Sequence, residues 1–134
     1  MANNKSFTLI EVVVAMFLLT VGTVGTFSLM QKSIIFTSIS SSRLVASYLA
    51  QEGIEIIRNI RDTNYLEGSA WDDGIVSSNW AVVSFLDGSQ SKFQRQITIA
   101  QPESNKMIVS VTVSWQERGG VHQVFAQTEL YNWR

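Results

Sequence analysis

The sequence contains no cysteine, which excludes disulfides and thiol chemistry and leaves the redox compartment open. It contains one histidine, His122, and one proline, Pro102. No Cys/His metal cluster can be built from that inventory, and no proline interrupts the stretch from Phe7 to Asp62. Lys and Arg number 10 against 11 Asp and Glu, for a formal net charge of −1. No basic surplus therefore points to nucleic acid. Nothing in the text assembles a nucleophile, a base and an orienting group, so the enzyme reading fails. No cofactor site is legible. A length of 134 residues suits one small domain.

What is abundant is apolar sequence at the start. "KSFTLIEVVVAMFLLTVGTVGTF" runs from Lys5 to Phe27, and Phe7 to Met30 contains one charge, Glu11. That length matches a membrane span of about 20 residues. It is longer than the apolar core of a secretory signal, and no A-x-A-like site follows it. The segment is expected to stay in the mature protein as a single-pass anchor in the lipid bilayer. Lys5, just ahead of it, favours a cytoplasmic N-terminus.

Helical spacing continues beyond this run. In "SSSRLVASYLAQEGIEIIRNIRD", Val45 or Ala46, Leu49, Gly53, Ile56 and Ile60 fall on one face, with Glu52, Glu55, Asn59 and Asp62 opposite. This predicts an amphipathic helix, joined to the apolar run as one long helix, with "TSISSSR" the place for a bend. "TNYLEGSAWDDGIVSSNW" has turn residues and no period, which predicts a loop over 63–79. Alternation then takes over in "WAVVSFL", "KFQRQITIA", "MIVSVTVSW" and "VHQVFAQTELYNW". "QPESNK" and "QERGG" are the connecting loops. The expected fold class is α+β: a long N-terminal helix on a four-stranded antiparallel sheet over 80–134.

These residues carry a resemblance. "KSFTLIEVVVAMFLLTVG" resembles the N-terminus of type IV pilins and type II secretion pseudopilins. "LAQEGIEIIRNIRD" and "ELYNWR" further resemble minor pilins of the V type and the I-type pseudopilin. The resemblance implies a leader over 1–6, cleavage by a prepilin peptidase between Ser6 and Phe7, and methylation of the new amine on Phe7. The family usually has Gly before the cut, where this chain has Ser6. It implies a transmembrane and filament-core helix half over 7–31 and a globular pilin domain over 32–134. It also implies an inner-membrane location, an assembly platform there, and export into a cell-surface pilus or periplasmic pseudopilus with other subunits. Abundant pilins often carry a disulfide-bounded loop or a helix proline. Having neither, the chain resembles a minor subunit.

The family context bears on Glu11. On position alone, it reads equally as an interfacial charge that snorkels to the headgroups. In the pilin pattern, it pairs with the Phe7 amine of a neighbouring subunit, near a helix start where the dipole favours a carboxylate. The alternative function is a single-pass anchored binding domain that never polymerises. Only a pilin needs a free amine at Phe7. Other candidates have plainer explanations. Asp62, Glu67, Asp72 and Asp73 lack the calcium-loop pattern and suit a solvated loop. His122 is expected on an exposed strand position. Trp71, Trp80, Trp115 and Trp133 are expected as core and rim aromatics. Arg58 and Arg61 should pair with Glu55 and Asp62 on the helix surface.

Overall fold

The computed structural model describes residues 8–84 and 88–133. Among them are one helix, α1 (Leu9–Glu67), and four strands: β1 (Ser78–Ser84), β2 (Gln90–Glu103), β3 (Lys106–Glu117) and β4 (Gly120–Tyr131). The strands form one antiparallel sheet in the order β1-β2-β3-β4. This is the α+β meander expected from the alternation. The chain divides into two compact units, Met1–Ile39 and Ser40–Arg134, and α1 contributes to both.

Several boundaries differ from the sequence expectation. The helix ends at Glu67 rather than Asp62, with Gly68 following at φ 77°, a left-handed conformation in which glycine commonly stops a helix. "TSISSSR" is helical throughout. β1 opens at Ser78 rather than Trp80. β2 runs through Pro102, which the pattern placed in a loop. Pro102 lies in the register shift between Ala100 and Glu103, where the ladder needs no donor from it.

In the second unit, the core lies between α1 and one face of the sheet. β3 supplies Met107, Val109, Val111, Val113 and Trp115, all buried, and β2 adds Phe93 and Ile97. Burying each large apolar side chain contributes about 1.5–3 kcal/mol. The helix side differs from the expected stripe. Its buried positions are Ser42, Ala46, Ala50, Gly53, Ile57 and Asn64, whereas Ile56 is exposed. The reason is close approach. A Cβ on Gly53 would stand 2.9 Å from Val111 Cγ1 and 3.1 Å from Arg95 Cδ. Small residues let the helix sit on a sheet whose own side chains fill the space.

Polar contacts tie the same helix face at both ends. Glu117 accepts hydrogen bonds from Ser42 Oγ at 2.7 Å, Lys92 Nζ at 3.0 Å and Trp115 Nε1 at 3.2 Å. Lys92 also donates to Ser42 Oγ at 2.8 Å. Midway, Arg95 donates to the Leu49 carbonyl at 3.1 Å and pairs with Glu52 at 3.3 Å. At the other end, buried Asn64 donates to the carbonyls of Asp73 and Trp71 at 2.7 and 3.4 Å, which holds the loop against the helix.

Candidate functional site

Ser6 and Phe7, the expected cleavage residues, lie outside the described residues. Glu11 is described. Thr8 precedes α1, and its carbonyl accepts from the N–H groups of Glu11 and Val12 at 3.1 and 3.3 Å. The Glu11 N–H also lies 3.4 Å from Thr8 Oγ1. Thr8 and Glu11 thus occupy the N-cap and third helical positions of a T-x-x-E capping pattern. Placing Glu11 in the first turn sets its carboxylate where the helix dipole favours negative charge. That spacing was readable in "TLIE", and it supplies a local structural reason for an acid at this position.

Glu11 is solvent-exposed and opens a shallow groove lined by Val12, Ala15, Met16, Leu19 and Thr20. The following turns are apolar and uncovered. Leu19, Val24 and Phe27 are each about two-thirds exposed or more. By length and composition, this part of α1 can cross a membrane, and among the described residues none of its apolar window is buried. Its polar side chains satisfy themselves. Thr20 Oγ1 donates to the Phe17 carbonyl at 2.8 Å, Thr23 to that of Leu19 at 2.6 Å, and Thr26 to that of Thr23 at 2.8 Å. Hydroxyls bonded to their own helix need no water, which suits an apolar environment. A Cβ on Gly22 or Gly25 would meet nothing within 4 Å.

The remaining candidates separate. Asp62 takes the guanidinium of Arg61 at 2.7 Å, and Asp72 accepts from Gln101 at 3.1 Å. Among the described residues, no three carboxylates or imidazoles converge on a metal-sized space. Arg58 pairs with Glu55. Trp71 and Trp115 are core, and Trp80 and Trp133 lie at the rim, with Trp133 stacked on Tyr65 and under Arg61. His122 departs from the expectation of exposure. Its register opposite Trp115 makes it half-buried, with the rings stacked at 5.4 Å. The Ser42–Lys92–Glu117–Trp115 cluster was missed from sequence, because its members lie up to 75 residues apart.

A surface ion pair with a tyrosine closes the other end of β4. Lys106 Nζ lies 2.8 Å from Glu129 Oε1, and Tyr131 Oη donates to Glu129 Oε2 at 2.7 Å. The hydrogen bond from Lys106, then that from Tyr131, lowers the carboxyl pKa of Glu129. The hydrogen bond to Glu129 raises the pKa values of Lys106 and Tyr131.

The family model for the prokaryotic N-terminal methylation motif matches residues 1–27. No curated protein and no solved structure matches the chain. The matched segment is a prepilin-type leader running into the apolar part of α1. It supports a pilin- or pseudopilin-type structural subunit, anchored in a membrane, processed by a prepilin peptidase and assembled with other such subunits.

Proposed function

We propose that the chain is a minor structural subunit of a type IV pilus or type II secretion pseudopilus. The observation that carries this reading is the methylation motif over residues 1–27, continuous with an apolar helical stretch whose described residues are exposed. The leader is 1–6, the filament-core half of the helix is 7–31, and 32–134 forms the globular domain. The subunit inserts in the inner membrane with its N-terminus in the cytoplasm. Prepilin peptidase cuts between Ser6 and Phe7, and the Phe7 amine is methylated. An assembly platform then draws the subunit into a fibre, pilus or pseudopilus.

In the fibre, Glu11 receives the Phe7 amine of a neighbour. An unpaired carboxylate in hydrocarbon costs several kcal/mol, and a cation alongside offsets that cost. The pairing also sets axial register, because one helix start must meet the next. Support for a minor role is compositional: there is no cysteine to bound a loop and no proline within α1.

Mass spectrometry of the N-terminus from sheared fibres and from membranes tests the reading. The expected species begins with N-methylated Phe7, and loss of Lys5 takes the formal charge from −1 to −2. A fibre-borne species beginning at Met1 or Ala2 overturns it.

A further inference from the structure

Alternation along β2, β3 and β4 divides the sheet into two faces of different chemistry. The face against α1 holds Phe93, Val109, Val111 and Val113. The other face is built mainly from amides and hydroxyls. Gln94 of β2 stands opposite Ser114 of β3, which stands opposite Gln123 of β4. The next row is Gln96, Thr112 and Phe125, and the one beyond is Thr98, Ser110 and Gln127. These rows rest on ladders without a register shift, from Phe93↔Trp115 to Ala100↔Ile108 and from Glu117↔Gly120 to Lys106↔Tyr131. β1 shifts twice against β2, between Ser78 and Ala81 and between Val82 and Ser84, so the regular grid ends at β2. Successive rows stand about 7 Å apart and neighbouring strands about 4.8 Å.

No side chain in these rows is charged. Past them, at the far end of β4, Lys106 and Glu129 hold each other at 2.8 Å. A solvated surface ordinarily interleaves charges of both signs, so a neutral grid of this regularity is a departure.

At the hairpin end of the same face is a cavity of about 380 Å³, lined by Lys92, Gln94, Ser114, Trp115, Gln116 and Val121. That volume is within the range of small-ligand sites. Gln94 and Gln116 are exposed and Ser114 is half-buried. Two amides and a hydroxyl, each both donor and acceptor, are therefore open to a ligand. Lys92 brings the one charge in this lining. Glu117 already holds its ammonium at 3.0 Å, and it donates to Ser42 Oγ at 2.8 Å. An anion finds that cation neutralised, and a cation finds no carboxylate among the six. Val121 is 69% exposed in the lining, and Phe125, two rows along β4, is 61% exposed.

A partner that matches this surface is uncharged, carries groups that donate and accept at once, and has apolar patches between them. Sugars have that combination, with hydroxyls around the ring edge and C–H groups on the ring face. We infer that the cavity and the neutral rows beside it bind an uncharged glycan chain. One sugar ring sits between Gln94, Ser114 and Gln116 with its C–H face on Val121, and the following rings run toward Phe125. The inference goes beyond the assembly reading and does not depend on it.

The full chain tests it in a zwitterionic detergent that carries no sugar headgroup. Neutral tetrasaccharides of glucose, mannose and galactose are titrated by calorimetry, beside a sulfated tetrasaccharide of the same length. At least one neutral tetrasaccharide should bind, with an affinity that added salt leaves unchanged, and the sulfated one should bind more weakly. Joint replacement Gln94→Ala and Gln116→Ala should weaken binding roughly tenfold or more with unchanged thermal melting, because both side chains are exposed. Gln51→Ala, an exposed amide on α1, should bind as the wild type does. Binding by none of the three neutral tetrasaccharides overturns the inference, as does tighter, salt-sensitive binding of the sulfated one. It also falls if the double variant binds sugar as the wild type does but loses co-purifying fibre subunits, which makes this face a protein contact.

Discussion

Residues 9–36 and 42–64 belong to one helix, yet they place bulk in opposite ways. In the first stretch Leu9, Phe17, Phe27 and Phe36 point outward with nothing over them. In the second, four of the six buried positions are Ser42, Ala46, Ala50 and Gly53. The sheet explains the inversion. Val109, Val111 and Val113 supply the volume on one side of the contact, so the helix must supply closeness. By contrast, Leu9, Phe17, Phe27 and Phe36 in the first stretch are exposed. Bulky apolar side chains exposed over this length mark an interaction or membrane surface. Hydrophobicity along α1 therefore marks the half that is completed by other molecules, and small size marks the half that is completed by the chain itself.

The sharpest way to break this comparison is Glu11→Val. If the first half is completed by neighbouring subunits, the variant should insert in the membrane and be cleaved, yet fail to enter fibres. Losing one member of a buried ion pair costs about 3–5 kcal/mol, a factor of hundreds or more in association. Co-purification with other fibre subunits, read beside a cleavage assay, checks it. Normal incorporation would return Glu11 to its capping and interfacial roles.

The second half is probed by Gly53→Val. The added side chain meets Val111 and Arg95, and overpacking there should cost about 1–3 kcal/mol or somewhat more, seen as a lower melting temperature of the domain. Gly25→Ala is the matched change in the first half, where space is open. It should leave that melting temperature unchanged and slow local amide exchange, since Ala favours helix by about 1 kcal/mol over Gly. Equal effects from the two glycines would erase the distinction.

Glu117→Ala tests whether the small-residue face is also held by polar contacts. It leaves Ser42, Lys92 and Trp115 without their shared acceptor and should destabilise by about 1–3 kcal/mol in denaturant titration. Glu117→Gln should fall between, because its amide retains one acceptor oxygen.

The smallest effect belongs to Glu129→Gln, on the exposed face of the same sheet. The Glu129 pKa is lowered in the fold, so its contribution is present above the ordinary carboxylate range and is lost as pH falls through its folded value. The Lys106 and Tyr131 values are raised, so their contributions are present below their ordinary values and are lost as pH rises through the folded ones. The melting difference between wild type and variant should thus be flat through neutral pH and shrink at both extremes. A difference that persists unchanged into acid would show that the carboxylate charge is not its source.

Much of the architecture was legible because it rests on local periodicity. Val109, Val111 and Val113, separated by Ser110 and Thr112, mark a strand with one buried face, and "QERGG" marks the hairpin. The helical stripe was legible only in part. Gly53 was found and Ala46 stood as an alternative to Val45, but Ile56 was preferred to Ala50 and Ile57, because apolar size guided the choice of face. The end of α1 was set short because "TNYLEG" lacks an apolar period, although Asn64 is anchored to the carbonyls of Trp71 and Asp73. A buried amide reaching a later loop leaves no pattern in the residues around it.

By itself, the sequence determined the elements whose causes lie within a few residues: the apolar run with Glu11 at its head, the amphipathic helical stretch after it, the alternating strands and the hairpin at "QERGG". Only the tertiary structure decided which helix face meets the sheet, that Glu117 gathers Ser42, Lys92 and Trp115, and that β4 keeps a smooth open edge while β1 is bulged. Periodicity is a property of neighbours in the chain and can be read there. Close approach and strand register depend on two distant surfaces at once, and neither surface specifies them alone.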